Sequence, residues 1–282
     1  TLRNPRFRSL IDRWAGTDAY AEWSARLRYQ SASGDWEPFR QATRYVGVPR
    51  MTAISRGLAA HLTVQNNVRV ERLAAVDSGW RVVDTASVDR GEFDAVVLTL
   101  PPAQSRDLLM ASDRPELADQ LAGDVAEMHP CWAVAAYFSE PLGLDYDGFQ
   151  ARLPALQWAG NDSSKPGRQA DGEWWVLHGQ PGWSAEHRDD QPEDAAAALL
   201  ADFRAATGIT QAPADTLIHR WLYAKSSRQS RQGHHWFAND RLAVIGDWLT
   251  GGRVEGAFDS AQSLFDHWLA TGVIASGPEQ VT

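Results

Sequence analysis

The stretch GDWLTGGRVEGAFDSA, Gly246 to Ala261, combines residue types that suit a flat or anionic ligand. The apolar run Leu242 to Ile245 reads as a short buried strand ending on Gly246 and Asp247, and ligands of open α/β sheets collect beyond the carboxyl ends of strands. Gly251, Gly252 and Gly256 let backbone approach a ligand with no Cβ in the way. A helix starting near Val254 would offer the amides of Val254, Glu255, Gly256 and Ala257, with their partial positive charge, to an anion. A glycine loop that merely caps the last helix is the plain alternative.

Further candidates lie on apparent strands. In Leu217 to Tyr223, alternation puts His219, Trp221 and Tyr223 on one face and Ile218, Arg220 and Leu222 on the other. The aromatic planes could stack on a flat ring and Arg220 could hold a phosphate bidentately; packed aromatics and an Arg paired with an acid are the bland reading. His178 ends an aromatic strand and could hydrogen-bond a ligand, or be a satisfied core histidine. The 13 tryptophans, Trp158, Trp174, Trp175 and Trp183 among them, exceed what a core of this size requires, so some are expected to wall a flat-ligand site. His234 and His235 are adjacent and therefore diverge, with no further ligand at metal spacing, so no metal site is expected. Asp145 and Asp147 read as a polar turn.

The elements that must position these groups follow from periodicity. Phe7, Leu10, Ile11 and Trp14 share a helical face, as do Met51, Ile54, Leu58 and Leu62, which are read as core. Val68 to Val83 reads as a ribbon turning at Asp77-Ser78-Gly79, and Phe93 to Leu100 as a strand buried on both faces and stopped by Pro101 and Pro102. A helix is expected from Ala103 to Met110. Cys131 to Phe138, Trp174 to His178 and Leu217 to Tyr223 read as a second sheet, with a helix from Asp194 to Ala206 before the last of them. The final helix carries Ala261, Leu264, Phe265, Trp268 and Leu269 and stops at Gly272.

Composition narrows the classes. A net charge of −9 over 282 residues disfavours nucleic-acid phosphates and anionic lipid. The single cysteine, Cys131, excludes a disulfide framework and a Cys-based zinc site, and no apolar run reaches the ~18 residues of a membrane span. The cytoplasm is the expected location.

Gly246, Asp247, Gly252, Arg253, Val254, Glu255, Gly256, Ala257 and Ser260 resemble the C-terminal flavin-binding signature of renalases and of the wider flavin amine oxidase group. VGVPRMTAISRGLAAHL (Val46 to Leu62), DAVVLTLPPAQSRDLL (Asp94 to Leu109), SSKP (Ser163 to Pro166) and HRWLYA (His219 to Ala224) are similar to renalase stretches, in the same order along nearly the whole chain. Two departures stand out. The chain has no G-x-G-x-x-G turn and is expected to begin after the dinucleotide-binding βαβ unit, and Arg50 stands where the family has Gly before Met.

The resemblance implies an α/β (α+β) fold of p-hydroxybenzoate hydroxylase type. Its three-layer FAD/NAD(P)-binding domain is expected over 46–127 and 237–282, incomplete at the N-terminus, with a mostly antiparallel substrate domain over 1–45 and 128–236. It implies noncovalent FAD, with Val70 at the adenine, Leu100 and Pro101 beside the dinucleotide, Asp247 at the ribityl-pyrophosphate and Val254, Glu255, Gly256 and Ala257 at the ring, Gly246, Gly252 and Arg253 being further cofactor-binding residues. The helix start would then favour the negative charge that a reduced flavin gathers on its pyrimidine end. Trp158, His178, His219, Arg220, Trp221 and Tyr223 are the expected substrate residues, with no catalytic side chain singled out. The implied activity is oxidation of a reduced nicotinamide nucleotide isomer by hydride transfer to flavin, with O2 as acceptor giving H2O2. The alternatives are an FAD-dependent amine oxidase and a non-catalytic fragment or remnant that binds a nucleotide or a protein weakly.

Overall fold

The computed structural model describes residues 2–39, 42–169, 171–227 and 232–275. The chain opens with α1 (Pro5–Trp14), β1 (Tyr20–Glu22), β2 (Leu27–Gln30), β3 (Trp36–Pro38), β4 (Tyr45–Gly47) and α2 (Ala53–Ala59). There follow β5 (Val70–Val76), β6 (Gly79–Asp84), β7 (Asp89–Phe93), β8 (Val96–Leu98), α3 (Pro102–Ala111), α4 (Pro115–Asp119) and α5 (Ala122–Ala126). Next come β9 (Met128–Phe138), β10 (Gly148–Gln150), β11 (Leu156–Asn161), β12 (Glu173–Gly179), α6 (Pro181–Glu186) and α7 (Pro192–Thr207). β13 (Asp215–Ser226), β14 (His235–Phe237), β15 (Leu242–Val244) and α8 (Val254–Ala270) end the order. The fold is mixed α/β. Two compact units divide it: Thr1–Val64 with His129–Ala224, and Gln65–Met128 with Lys225–Thr282.

These boundaries differ from the expected ones at three places, one of them the single residue Met128, which falls in the second unit. Residues 46–64 belong to the first unit, because β4 pairs antiparallel with β1 and α2 packs on α1, where a Cβ on Gly57 would lie 2.7 Å from the Ala15 Cα. Residues 225–236 belong to the second, because His235 opposite Val244 starts the β14–β15 ladder.

In the first unit a seven-stranded sheet runs in the order β13-β9-β12-β11-β10-β2-β3, mostly antiparallel, with β10 and β2 parallel. Alternation sends Trp132, Val134, Ala136 and Phe138 to the face that α7 covers, where they meet Phe149, Trp175 and Leu177. Ala195, Leu199 and Phe203 of α7 complete this core, the Phe203 ring lying 5.3 Å from Trp175 and 6.0 Å from Phe149. Pro192 opens α7, and Gly208, at φ 75°, closes it by donating to the Arg204 carbonyl. Asp202 accepts from the amides of Ala155 and Leu156 at 2.7 and 2.9 Å, which fixes the start of β11 against the helix. The helix α2 departs from expectation: it buries none of its residues, and Met51 and Leu62 are 52% and 69% exposed. Its apolar spacing is present, but within the first unit no core is built on it.

In the second unit β15 lies between β14 and β8, antiparallel to the first and parallel to the second, and all its residues are buried. Leu108 and Leu109 of α3, Leu117 and Leu121 pack on it with Trp248 and Leu249. The ribbon is a three-stranded meander, β5-β6-β7, whose Trp80 is buried and donates its indole N–H to the Asp240 carbonyl at 2.6 Å. The run Phe93 to Leu100 is divided: Phe93 ends β7 at 49% exposure, and only Val96–Leu98 joins the parallel sheet. Of its three residues only Leu98 is buried and Val96 and Val97 are half-buried, so this short strand is not buried on both faces as its apolar run suggested; among the described residues no strand pairs with its second edge.

Candidate functional site

In the second unit the register brings the ends of two strands together. Leu98 lies opposite Val244 in parallel pairing, and the Ile245 amide donates to the Leu98 carbonyl at 2.9 Å. Leu100 and Pro101 therefore leave the sheet beside Gly246 and Asp247, at the carboxyl ends where ligands of such sheets bind. The Gly246 amide donates to Ser260 Oγ at 3.0 Å and Ser260 Oγ donates to the Gly233 carbonyl, which ties the loop to α8. Gly251 and Gly252 take φ of 105° and 67°, conformations that disfavour a side chain, and a Cβ on either would meet nothing within 4 Å.

The helix N-terminus is only partly available. Arg253, the N-cap, makes no side-chain cap, but its carbonyl accepts from Gly256 and Ala257 at 2.7 and 3.3 Å. Of the four amides expected to meet an anion, those two are thus engaged, and the open end of the helix is at Val254, which is 73% exposed. Burial pushes the Asp247 carboxyl above the ordinary range, against hydrogen bonds from the Trp248 amide and its own. The Trp248 indole N–H is buried and meets no partner among the described residues, and a Cβ on Gly246 would lie 2.2 Å from its nitrogen.

Beside these strand ends a groove of about 910 Å³ runs along β8 and β5, lined by Val70, Leu73, Val96, Leu98, Leu100 and Gln104. Val70 and Leu100, thirty positions apart in sequence, share it. Arg69, Glu71, Thr99 and Asp107 line it as well, and its size and mixed walls, together with the glycine loop and the start of α8, fit a dinucleotide carrying a flat ring.

The first unit presents a different surface. On the sheet face away from α7, Trp158 lies opposite His178 and His178 opposite Ala133, so the three form a row across β11, β12 and β9. The next row is Gly160, Val176 and Ala135, with Gly148 opposite Gly160. A floor of small residues is thus walled by Trp158 and His178 and by Trp174, whose ring lies 5.1 Å from Tyr137. Burial, with a smaller contribution from the charge of Lys165, holds the His178 imidazole below its ordinary range, which favours the neutral ring.

The expected face of β13 is divided. Ile218 packs on the α7 side, as does Arg220, whose guanidinium lies 5.6 Å from the Trp132 ring, donates to the Arg188 carbonyl and stands 3.6 Å from Asp189. Arg220 is therefore set apart from Trp158 and His178, and its donors are used as the bland reading expected. His219 and Trp221 point the other way, in mutual contact at 4.2 Å, and alternation of burial ends at Tyr223, which is half-buried.

Two groupings escaped the sequence reading. Asp162, Lys165 and Arg168 form an ionic corner beside Trp23, discussed below; the SSKP stretch contains Lys165, but nothing in its spacing showed that Asp162 and Arg168 meet it. His234 has a neighbour after all: His267 of α8 lies 5.0 Å away, and Ser263 Oγ is 2.9 Å from His234 Nδ1. Burial, then the charges of His267 and His235, hold His234 below the ordinary range. Among the described residues no group of three metal-ligating side chains assembles.

Comparison with known proteins decides the family. The model for flavin-containing amine oxidoreductases matches residues 3–263. The chain belongs to the flavin-containing amine oxidoreductase family. The cofactor of this family is FAD, and its members are oxidoreductases. Solved structures share the fold at low identity. A redesigned double mutant of putrescine oxidase aligns at TM-score 0.65 and 11% identity over 96% of this chain and 87% of that one. A protein described as a protoporphyrinogen oxidase of Exiguobacterium aligns at TM-score 0.61 and 17% identity over 84% of this chain. An oxidoreductase of Methanosarcina mazei aligns at TM-score 0.55 and 14% identity over 77% of this chain. The chain spans about half the length of the latter two, 53% of each. Among the described residues no helix of the chain is long and apolar enough to cross a membrane.

Proposed function

We propose that this flavoprotein is of renalase type and oxidises a reduced nicotinamide nucleotide isomer. The dihydropyridine would lose a hydride and become a pyridinium, and its two electrons would end on O2, with two protons, as H2O2. FAD, when bound, supplies the site that accepts the hydride equivalent and passes the electrons on. In this reading the fold is of p-hydroxybenzoate hydroxylase type. Val70 and Leu100 would flank the adenosine side in the groove, Pro101, Gly246 and Asp247 the ribityl-pyrophosphate, and Gly252, Arg253 and the start of α8 the ring.

The observation that carries the substrate reading is the sheet face of the first unit that lies away from α7. The central strands present Trp158, Trp174, His178 and Tyr137 around a small-residue floor, with no acidic side chain among them. A neutral dihydropyridine ring can stack on such aromatic planes, and a neutral imidazole can hydrogen-bond its carboxamide. A cationic amine would instead favour a carboxylate. The side chains thus bind and orient; no protein acid or base is required, since a hydride leaves.

A second reading, an FAD-dependent amine oxidase, is favoured by Trp174 and Tyr137, whose rings at 5.1 Å could flank an amine nitrogen. Stopped-flow reduction of the holoprotein separates the two. Bleaching of the flavin band by dihydronicotinamide isomers is expected, and reduction by polyamines or monoamines alone would overturn the nicotinamide assignment.

A further inference from the structure

In the first unit, Asp162 lies between two cations. Lys165 Nζ is 2.6 Å from Asp162 Oδ1, and Arg168 Nε is 3.2 Å from Asp162 Oδ2. The cationic side chains are only 17% and 11% exposed. Burial alone would raise the Asp162 carboxyl, but the hydrogen bonds and charges of Lys165 and Arg168 outweigh it and hold the group below the ordinary range. With Asp162 ionised, the corner carries two positive charges against one negative.

The two cations are used differently. Arg168 donates to the carbonyls of Gly47, Pro49 and Pro166 as well as to Asp162, so its guanidinium is spent on tying 47–49 to the 162–168 turn. Lys165 donates to Asp162 alone among the described residues, and an ammonium has further N–H donors. Its charge lies 5.5 Å from the Trp23 ring, and Trp23 is held by a 3.0 Å bond from its indole N–H to Ser164 Oγ. The charge of Lys165 also acts on His178, where it adds to burial in holding the imidazole below its ordinary range. A largely desolvated, incompletely compensated ammonium beside an aromatic face favours an anion, because in such surroundings a charge-assisted hydrogen bond is strong and unbalanced charge is costly.

We propose that Lys165, with Trp23 at its side, is an anion subsite that takes a phosphate monoester of the substrate. This rests on the nicotinamide nucleotide reading above for the identity of the substrate, but not for the anion chemistry. The ring would lie on Trp158 and His178, and the phosphate would be selected by Lys165, with Arg168 and Asp162 positioning the ammonium.

Calorimetric titration of the holoprotein with tetrahydronicotinamide mononucleotide and with tetrahydronicotinamide riboside, whose rings are neutral and have no hydride to give up, tests it without turnover. The mononucleotide is expected to bind roughly tenfold more tightly, the worth of one charge-assisted hydrogen bond. Lys165→Met should abolish that preference while leaving riboside affinity unchanged, and Lys165→Arg should retain most of it. In parallel, inorganic phosphate at matched ionic strength should raise the melting temperature of the wild type and of Lys165→Arg but not of Lys165→Met. Equal responses of wild type and Lys165→Met to phosphate would overturn the subsite. A Lys165-dependent phosphate response with no binding of mononucleotide or riboside would keep the anion subsite and remove the nicotinamide reading instead.

Discussion

The two units place their candidate sites on opposite kinds of architecture. In the first, long strands build a broad sheet whose one face is sealed by α7, and the chemistry-bearing residues stand on the other face, contributed by strands distant in sequence. In the second, three short strands build a narrow sheet whose middle strand is wholly buried, and the candidate residues stand at strand ends and in the loop that follows. A sheet face offers breadth for stacking; strand ends offer backbone amides and glycine loops for close approach. In the function proposed above, substrate discrimination would fall to side chains in the first unit and cofactor binding mostly to backbone in the second.

This contrast can be broken by substitution. The largest effect is expected for Trp175→Ala, which removes a fully buried indole from the α7 face and should cost about 3–5 kcal/mol in urea denaturation. If the loss is under 1 kcal/mol, α7 does not seal that face. Asp124→Asn comes next, because Asp124 and His235 are a buried pair at 3.1 Å in the second unit; a loss of about 2 kcal/mol is expected from denaturation curves near neutral pH. Gly246→Ala should cost about 1–3 kcal/mol, since the new methyl meets the Trp248 indole, and should weaken FAD retention measured by the flavin absorbance of the purified protein.

The pH dependence sharpens the same comparison with smaller effects of opposite sign. Asp162 in the first unit is held below the ordinary carboxylate range, so its contribution is complete above that range and is lost as pH falls through the folded value. Asp162→Asn should flatten the acid limb of the stability profile. Asp247 in the second unit is held above the range by burial, so its folded form favours the proton and the contribution is lost as pH rises through that value. Asp247→Asn should raise stability at neutral pH, and no gain there would show that the carboxylate has a compensating partner. The smallest effect is expected for Trp221→Ala: at 55% exposure its loss should change stability by under about 0.5 kcal/mol.

Local signals were read well where one segment suffices. Pro192, Leu199, Phe203 and Gly208 mark α7, and the glycine loop before Val254 marks the start of α8. The helix α2 shows the limit, since spacing of Met51, Ile54, Leu58 and Leu62 gives an apolar stripe but not what would cover it. Arg220 was separated from His219 correctly by alternation, yet only its contact with Trp132 shows that its side is the α7 face.

From the sequence alone came the flavin-type loop, the strand periodicities and the residue types of both candidate sites, because each is a property of a few consecutive residues. Which residues meet was decided by tertiary structure. Trp158 stands beside His178, His234 beside His267, and Lys165 shares Asp162 with Arg168 near Trp23, because strand register and turn geometry bring separate segments together. Alternation fixes which residues of β11 and β12 share a face, but a two-residue slip would keep those faces and part Trp158 from His178, and the periodicity of neither strand decides between such registers.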